Sequence, residues 1–569
     1  MARSDLQTLG AFNRWRVRRA ARGAMPKGFV SQPEPRTIGS YARGRQLLAG
    51  NIQFTGHIVE LKAGDLWAFE LPTQGFANDL HGFLWLDDLA AVGSAQARLM
   101  AQSWVLTWIK AYRTGNGPGW QVDLAARRLI RWIHHGIFLL GQTSKEQGDA
   151  YFTALGQHTR YVAGHWSDAA VGLPRFEALA GALYASLTVE GLGKYTKPML
   201  SALAESCATE INPDGAIASR NPEELLEIFT LLNWASIALK RDDLTIPKQL
   251  SDALKRIAPT LRLLRHGNGH LTRFHGGGRG VEGRLDEALA QSGVRATAPR
   301  ETAMGYIRVT AGSVTLIMDA AAPPKGRASF AAHASTAAVE LTSGKFPLIV
   351  SCGSGVSFGD NWRLAGRATP SHSTLGIDGM SSSRFAPGSR GAAAQLLDVP
   401  NDVTLIRVSA IDGTRVQVTH DGYALTHGLT HIRKLDTSLN GEKLVGEDIL
   451  EAAGPKNVTR LNRQAMDGAG YVPVSARFHV HPDVECSLDL NGTAVSMTQK
   501  NGDVWLFRGD GVAQLTLEPS VYLEQGRITP RAADQIVLSV AVSDAKTHLR
   551  WTLAKVHHGR SASVEKDPT

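Results

Sequence analysis

Two histidines lie in one stretch, Ser329 to Met380, where short apolar runs alternate with turns. Ser-Phe-Ala-Ala-His333 leads into Val339-Glu-Leu-Thr-Ser-Gly-Lys. Leu348-Ile-Val-Ser-Cys-Gly-Ser follows, and Ala368-Thr-Pro-Ser-His372-Ser-Thr-Leu-Gly-Ile-Asp-Gly closes the stretch. The pattern predicts strand, turn, strand and a long loop returning to a third strand. His333 enters the first strand and His372 precedes the third. Imidazoles so placed can meet in space, as metal ligands or as acid and base.

The elements that must position them fall into two textures. Residues 46–295 read as helices, among them Ala91–Tyr112, Gln121–Leu140, Gln147–His165, Arg175–Leu187 and Pro222–Lys240, with apolar residues three and four apart. Asn221-Pro222 opens one of them well, because Asn caps a helix and Pro suits its first position. Successive helix pairs predict an α/α toroid or a solenoid-like bundle. Residues 296–560 read as short β-branched runs bounded by Gly, Asp and Asn, which predicts an antiparallel β-sandwich. The join, Arg273-Phe-His-Gly-Gly-Gly-Arg-Gly, lacks the Gly-Lys-Ser/Thr ending of a phosphate loop and reads as a tight turn or a loop rimming a cleft. The expected fold class is therefore α+β multidomain, a toroid followed by a sandwich.

A chain of 569 residues exceeds one hydrophobic core, in keeping with two domains. Its pI of about 9.4 invites a nucleic-acid reading. The charge sits elsewhere: residues 1–45 hold ten Lys/Arg against Asp5 and Glu34, which supplies +8 of the +9 net charge. A nucleic-acid footprint belongs on a folded domain. A basic flexible arm is expected at 1–45, with a contact to an anionic surface through Phe12-Asn-Arg-Trp15-Arg-Val-Arg-Arg. Residues 561–569 are expected to be a disordered tail. Arg18-Arg19 lacks the apolar run of an export signal, and no segment has transmembrane length without charges. Cys207, Cys352 and Cys486 read as reduced thiols, so the expected location is cytoplasmic.

The order of these pieces resembles the heparinase II/III family of polysaccharide lyases. Leu47-Leu-Ala-Gly-Asn-Ile-Gln-Phe-Thr-Gly, Leu80-His-Gly-Phe-Leu-Trp-Leu-Asp-Asp-Leu and Trp120-Gln-Val-Asp-Leu-Ala-Ala-Arg-Arg resemble its toroid. Asp214-Gly-Ala-Ile-Ala-Ser-Arg-Asn-Pro-Glu resembles the stretch that ends Arg-Ser-Pro, and His420-Asp-Gly-Tyr423 with His431-Ile-Arg433 resembles a sandwich segment. The resemblance implies a His or Asn on a toroid helix, a Tyr shortly after Arg-Ser-Pro and a His-x-His pair. Here those positions fall on Arg175-Phe-Glu177, on Glu223-Glu224, and on Ala331 and His333. Some relatives bind zinc through the second His, an Asp and a later His. That implies a structural zinc at His333 and His372, with Cys352 near the Asp position; no cofactor is required for the reaction.

The implied reaction is β-elimination on a uronic-acid glycan, which needs a base, an acid and a cation for the developing enolate. Tyr423 or His420 is the expected proton-transfer group, Arg220 the carboxylate clamp and His333 an orienting group. Asp421-Gly422 equally suits a simple hairpin turn. Trp85 and Trp120, beside His81 and Arg127, could line sugar subsites; Asn221 and Arg367 complete the expected substrate contacts. Trp104 and Trp108, four apart, read as core. Two alternatives remain. One is a glycoside hydrolase using two of Asp79, Asp87, Asp88, Glu223 and Glu224. The other is a non-catalytic carbohydrate-binding or scaffold relative that kept the fold.

Overall fold

The computed structural model describes residues 2–61, 66–295, 300–377, 379–388 and 394–556. The expected tail at 561–569 lies outside them. Helix α1 (Ala2–Ala20) is followed by α2 (Tyr41–Leu48), α3 (Gln74–His81), α4 (Leu84–Val92), α5 (Ala95–Tyr112) and α6 (Val122–His134). Then come α7 (Gly136–Leu140), α8 (Lys145–His165), α9 (Leu173–Thr188), α10 (Thr196–Thr209), α11 (Pro222–Arg241), α12 (Lys248–Leu263) and α13 (Arg284–Ser292). Helix α9 is central: it packs on α6, α8, α10 and α11, and every residue from Phe176 to Thr188 is buried. The start of α11 obeys the local rules. Asn221 Oδ1 accepts the Glu223 and Glu224 amides at 2.9 and 3.3 Å, Pro222 fills the first position, and Glu223 and Glu224 face the positive end of the helix dipole.

The sandwich follows as two antiparallel sheets. One has the spatial order 403–410, 413–423, 429–438, 443–451, 546–556, 504–509, 494–498, 485–489. The other runs 514–522, 531–542, 472–480, 346–350, 339–343, 314–319, 306–311, 302–303, with 375–377 paired to 472–480. The inner faces meet through Val416, Val418, Leu435, Phe478, Phe507, Leu538 and Trp551. The expected toroid-then-sandwich order holds.

The N-terminal arm is not loose. Helix α1 docks one edge onto the helical domain: Asn13 Nδ2 donates to Trp120 O at 3.0 Å, Tyr161 Oη donates to Asn13 Oδ1 at 2.7 Å, and Val17 is fully buried. Gln157 Nε2 donates to Val17 O at 2.9 Å, and Arg16 pairs with Asp168 at 2.6 Å. Positions 13 and 17 share a face one helical turn apart, so a strongly basic segment still presents an edge that can be buried.

The two domains join at Arg220. Its φ of +52° lies in the left-handed region, uncommon for a non-glycine residue. Its guanidinium enters the sandwich and donates to Asp319 Oδ1 at 2.5 Å, Met304 O at 2.9 Å, Gly305 O at 2.9 Å and Ala322 O at 2.8 Å, while lying 4.7 Å over the Tyr306 ring. Asp319 Oδ2 accepts from Ser335 Oγ at 2.7 Å. Burial pushes the Asp319 carboxyl upward, but Arg220 and His275 outweigh it and hold its pKa below the ordinary range. A depressed carboxyl stabilises the fold above the ordinary carboxylate pKa and loses that contribution as pH falls toward the folded value. Asp319→Asn should therefore cost about 3 kcal/mol in urea unfolding at neutral pH, and the variant should lose less of its remaining stability on acidification than the parent.

Candidate functional site

Most of the residues that could do elimination chemistry are occupied by the fold. Tyr423 is fully buried and donates to Leu375 O at 3.1 Å; burial raises its pKa. It is a core phenol, not the expected proton-transfer group. His420 is also buried. Its Nδ1 accepts the Gly422 amide at 3.2 Å, which leaves Nε2–H to donate to His431 Nδ1 at 3.0 Å; His431 Nε2–H then donates to Asp448 Oδ1 at 2.8 Å. Arg433 closes this network on Asp448 at 2.7 and 3.0 Å and reaches Ala337 O and Ser373 O on the facing side. The reason is register: His420 pairs with His431, and inward positions 429, 431, 433 and 435 alternate along one strand. Asp421-Gly422 lies in an irregularity of the strand rather than at a hairpin tip.

The expected clamp and subsites differ in the same way. Arg220 spends its donors at the domain joint, so it is not a substrate clamp. Arg367 donates to Ala332 O, Ala394 O and Ser329 O at 2.8, 2.7 and 2.8 Å, holding the loop that carries His333 instead of a ligand. His81 accepts from Trp108 Nε1 at 3.0 Å, and burial lowers its pKa to about 3. Trp85 and Trp120 are buried and donate to Leu80 O and Tyr112 O at 3.1 and 2.8 Å. They belong to an aromatic core with Trp104, Trp108 and Trp132, not to sugar subsites. This core wraps Arg128, which lies 3.9 Å over Trp108 and donates to His81 O and Gly119 O at 2.8 and 2.9 Å. Of the hydrolase candidates, Asp87 pairs with Arg131 and His135, each at 2.9 Å, and Asp88 holds the Ser40 amide at 2.7 Å. Both are buried.

His333 and His372 do meet: His333 Nδ1 and His372 Nε2 are 3.2 Å apart. His275 joins them by accepting the His333 amide at 3.1 Å, and its Nε2 lies 3.4 Å from Asp319. Burial drives His333 and His372 well below the ordinary imidazole range, His372 to about 3. A zinc site needs more donors. Among the described residues no three His, Cys, Asp or Glu converge so as to hold a metal ion. Cys352 turns away, with Sγ 3.5 Å from His479 Nδ1 and 3.9 Å from Ser520 Oγ. The residues present do not fit the expected zinc; the pair reads as a buried imidazole contact.

Another group of side chains comes together where toroid and sandwich face each other. Arg127 on α6 pairs with Glu177 on α9 at 2.7 Å and with Asp123 at 3.4 Å. Asp79 at the end of α3 and Glu224 at the start of α11 lie within range of the same guanidinium. Beside Glu224, Glu223 accepts the Gly278 amide at 2.7 Å and Gln525 Nε2 from the sandwich at 3.3 Å. The glycine-rich join thus rims this recess, as its sequence suggested. Gly277 and Gly278 allow the approach: a Cβ there would sit 2.6 Å from Asn221 Oδ1 and 2.9 Å from Gln525. Asn221, expected to touch substrate, is buried as the cap of α11. On the other side Gln53 Nε2 donates to Gly526 O at 2.8 Å.

Asp79, Arg127, Glu223 and Glu224 each retain some exposed surface, yet burial raises the pKa of all three carboxyls, Asp79 to about 6. They are recessed rather than enclosed. Burial likewise raises Glu177 to about 7 against the pull of Arg127. Glu177 Oε2 has no hydrogen-bond partner. Asp79, Glu223 and Glu224 were visible in the sequence as carboxylates. Asp123 and Glu177 were not singled out. The available signals were the Asp123–Arg127 spacing of four and a lone carboxylate in the apolar run of α9.

Comparison with known proteins decides the family. Residues 295–552 match the family model described as heparinase II/III-like, C-terminal. FtsZ-localized protein C of Caulobacter vibrioides is 30% identical over 552 residues, covering 93% of this chain and 91% of that protein. The chain belongs to the heparinase II/III family. The crystal structure of heparinase III superposes with a TM-score of 0.70 at 13% identity, covering 95% of this chain and 88% of that one. A mutant of heparan sulfate lyase HepC from Pedobacter heparinus gives 0.57 at 13%, covering 96% and 88%. At such identities the superpositions show the shared toroid-and-sandwich fold. The family resemblance places the toroid His/Asn in the segment Arg175-Phe-Glu177, which holds neither residue, the Tyr at Glu223-Glu224, and the first His at Ala331. Gly276 lies between the last two regions: a Cβ on it would stand 3.6 Å from Ala331 O and 3.8 Å from Asn221 Nδ2.

Because Tyr423 and His420 serve the sandwich core, their loss should be read in stability. Tyr423→Phe should lower stability by about 1 kcal/mol. His420→Ala, which leaves His431 without its donor inside the core, should lower it by about 2–3 kcal/mol. Thermal unfolding of the two variants checks both values.

Proposed function

We propose that this protein is a non-catalytic member of the lyase family, a scaffold that works at an anionic membrane surface and associates with FtsZ, a role suggested by the name of its FtsZ-localized Caulobacter relative. The observation that carries this reading is helix α1. Its docked edge leaves Phe12 and Trp15 each 51% exposed, and their rings stack at 5.9 Å. Arg14, Arg18, Arg19 and Arg22 are exposed around them. Aromatic rings flanked by arginines suit the boundary between headgroups and acyl chains, and each basic residue near an anionic surface adds about 1 kcal/mol. No described helix is long and apolar enough to cross a membrane, so the contact is peripheral.

Loss of elimination is supported by the side chains themselves. Tyr423, His420, Arg220 and Arg367 are committed to structural hydrogen bonds, and the implied Tyr position holds Glu223 and Glu224. A substrate uronate would meet carboxylates where it needs a cation. The FtsZ association rests on the relative's name and its 30% identity.

Full-length protein should sediment with vesicles containing phosphatidylglycerol, not with phosphatidylcholine alone, and salt should release it. Phe12→Ala with Trp15→Ala should weaken vesicle binding by about tenfold or more; unchanged sedimentation would remove the membrane role. Ultraviolet absorbance should stay flat when the protein is mixed with uronic-acid glycans. A rise, which reports the conjugated double bond of elimination, would reinstate the lyase. Co-pelleting with FtsZ filaments tests the third element, and its absence would confine the proposal to the membrane.

A further inference from the structure

A groove of about 510 Å³ opens between α11, α12 and α13, within the size range of small-molecule sites. Two buried polar side chains of α11 line it, Asn233 and Ser236, 1% and 6% exposed. They stand three positions apart and so share a helix face. Asn233 Nδ2 donates to Ala288 O on α13 at 2.9 Å, which fixes the amide and leaves Oδ1 as its free end. Asn233 Oδ1 and Ser236 Oγ have no hydrogen-bond partner among the described residues. A buried polar atom left unmet costs stability unless something else completes it. Ile237, Leu254, Pro259 and Val294 make the walls apolar. Lys240, Lys255 and Arg295 line the same groove and are exposed, whereas no Asp or Glu among the described residues lines it. Among the described residues Lys240 and Arg295 form no ion pair, and Lys255 meets Asp252 at 3.6 Å, a carboxylate that Lys248 holds more closely.

We propose that this groove binds a nucleoside phosphate whose base carries an amino group beside a ring nitrogen, as adenine and cytosine do. The amino group donates to Asn233 Oδ1, and the Ser236 hydroxyl donates to the ring nitrogen. A flat base between aliphatic walls removes apolar surface from water. The phosphates lie among Lys240, Lys255 and Arg295, where charge-assisted hydrogen bonds hold them. Each part of the groove rejects another class of ligand. An acyl chain fills the walls but leaves Asn233 and Ser236 unmet, which costs more than its apolar contacts return at that depth. A sugar phosphate brings no flat apolar face. A cationic ligand meets three like charges. None of these residues belongs to the recess at the domain joint or to α1, so the inference rests neither on the loss of elimination nor on the membrane contact.

Titration calorimetry on the full-length protein at neutral pH compares adenosine diphosphate with inosine diphosphate, adenosine, pyrophosphate and laurate. Inosine keeps the size of the base but puts a carbonyl in place of the amino group and a proton on the ring nitrogen. Adenosine diphosphate should bind at least about tenfold tighter than each of the other four. Ser236→Ala should weaken it by about fivefold or more. Lys240→Ala with Lys255→Ala, both on exposed side chains, should weaken it by about tenfold and leave adenosine unaffected. Phe12→Ala with Trp15→Ala should leave all five affinities unchanged. Equal binding of the inosine nucleotide would overturn the base assignment, and tighter binding of laurate would make the groove an acyl site. Parental affinity in both the serine and the lysine variants, with circular dichroism like that of the parent, would place the nucleotide elsewhere. No heat with adenosine diphosphate at millimolar concentration would overturn the inference outright.

Discussion

The buried Arg220–Asp319 pair at the head of α11 is the charged contact that ties the helical domain to the sandwich core. The Arg220 guanidinium crosses from the helical domain into the sandwich, as that of Arg273 does to Cys352 O and Leu523 O, and it neutralises the buried Asp319 and satisfies carbonyls from 304–305 and 321–322. Both charges are out of water, so the pair is favourable only because nearly every remaining donor and lone pair is matched. That matching fixes the distance between the two domains. It thereby fixes the recess formed by Glu177, Glu223 and Glu224 on one side and by Gly278 and Gln525 on the other. The left-handed backbone at Arg220 is part of the same constraint: it turns the chain so that the side chain enters the sandwich while Asn221 begins the helix.

The same economy runs through the sandwich. Asp448 gathers His431, Arg433 and, at 3.2 Å, Trp551 Nε1, and it passes its influence to His420. Arg367 ties down the loop before His333. Buried networks of this sort stabilise when every member is satisfied and cost heavily when one is missing. The Arg, His and Tyr side chains named here serve the architecture of the sandwich. What the recess keeps is carboxylate, and its surroundings desolvate that carboxylate enough to raise Asp79 and Glu177 toward neutrality.

At the opposite end of the chain, α1 meets two requirements at once. Asn13 and Val17 are drawn inward by hydrogen bonds and packing, while Phe12, Trp15 and the arginines remain outside. A helix docked along one edge presents its other face at a defined height above the domain. A loose basic arm would present the same residues with no orientation and at greater entropic cost on binding.

How much of this was legible in sequence depends on the range of the interaction. The change from helical to strand periodicity near residue 300, the Asn221 cap, the glycine-rich rim and the core role of Trp104 and Trp108 rest on neighbours within a few residues, and the structure bears them out. The pairing of His333 with His372 was also legible, because both flank strands of one sheet. The roles of Arg220, Arg367, His420 and Tyr423 were not. An arginine or tyrosine has the same local signature whether it faces a substrate or a carbonyl a hundred residues away. Only the packed fold supplies the partner, sets the burial and so decides whether the group is free to do chemistry. Sequence by itself determined the layers and their order, because helix and strand periods are local properties of the chain. Tertiary structure alone decided which charges were left over at the interface between them, because that remainder depends on every long-range pair formed first.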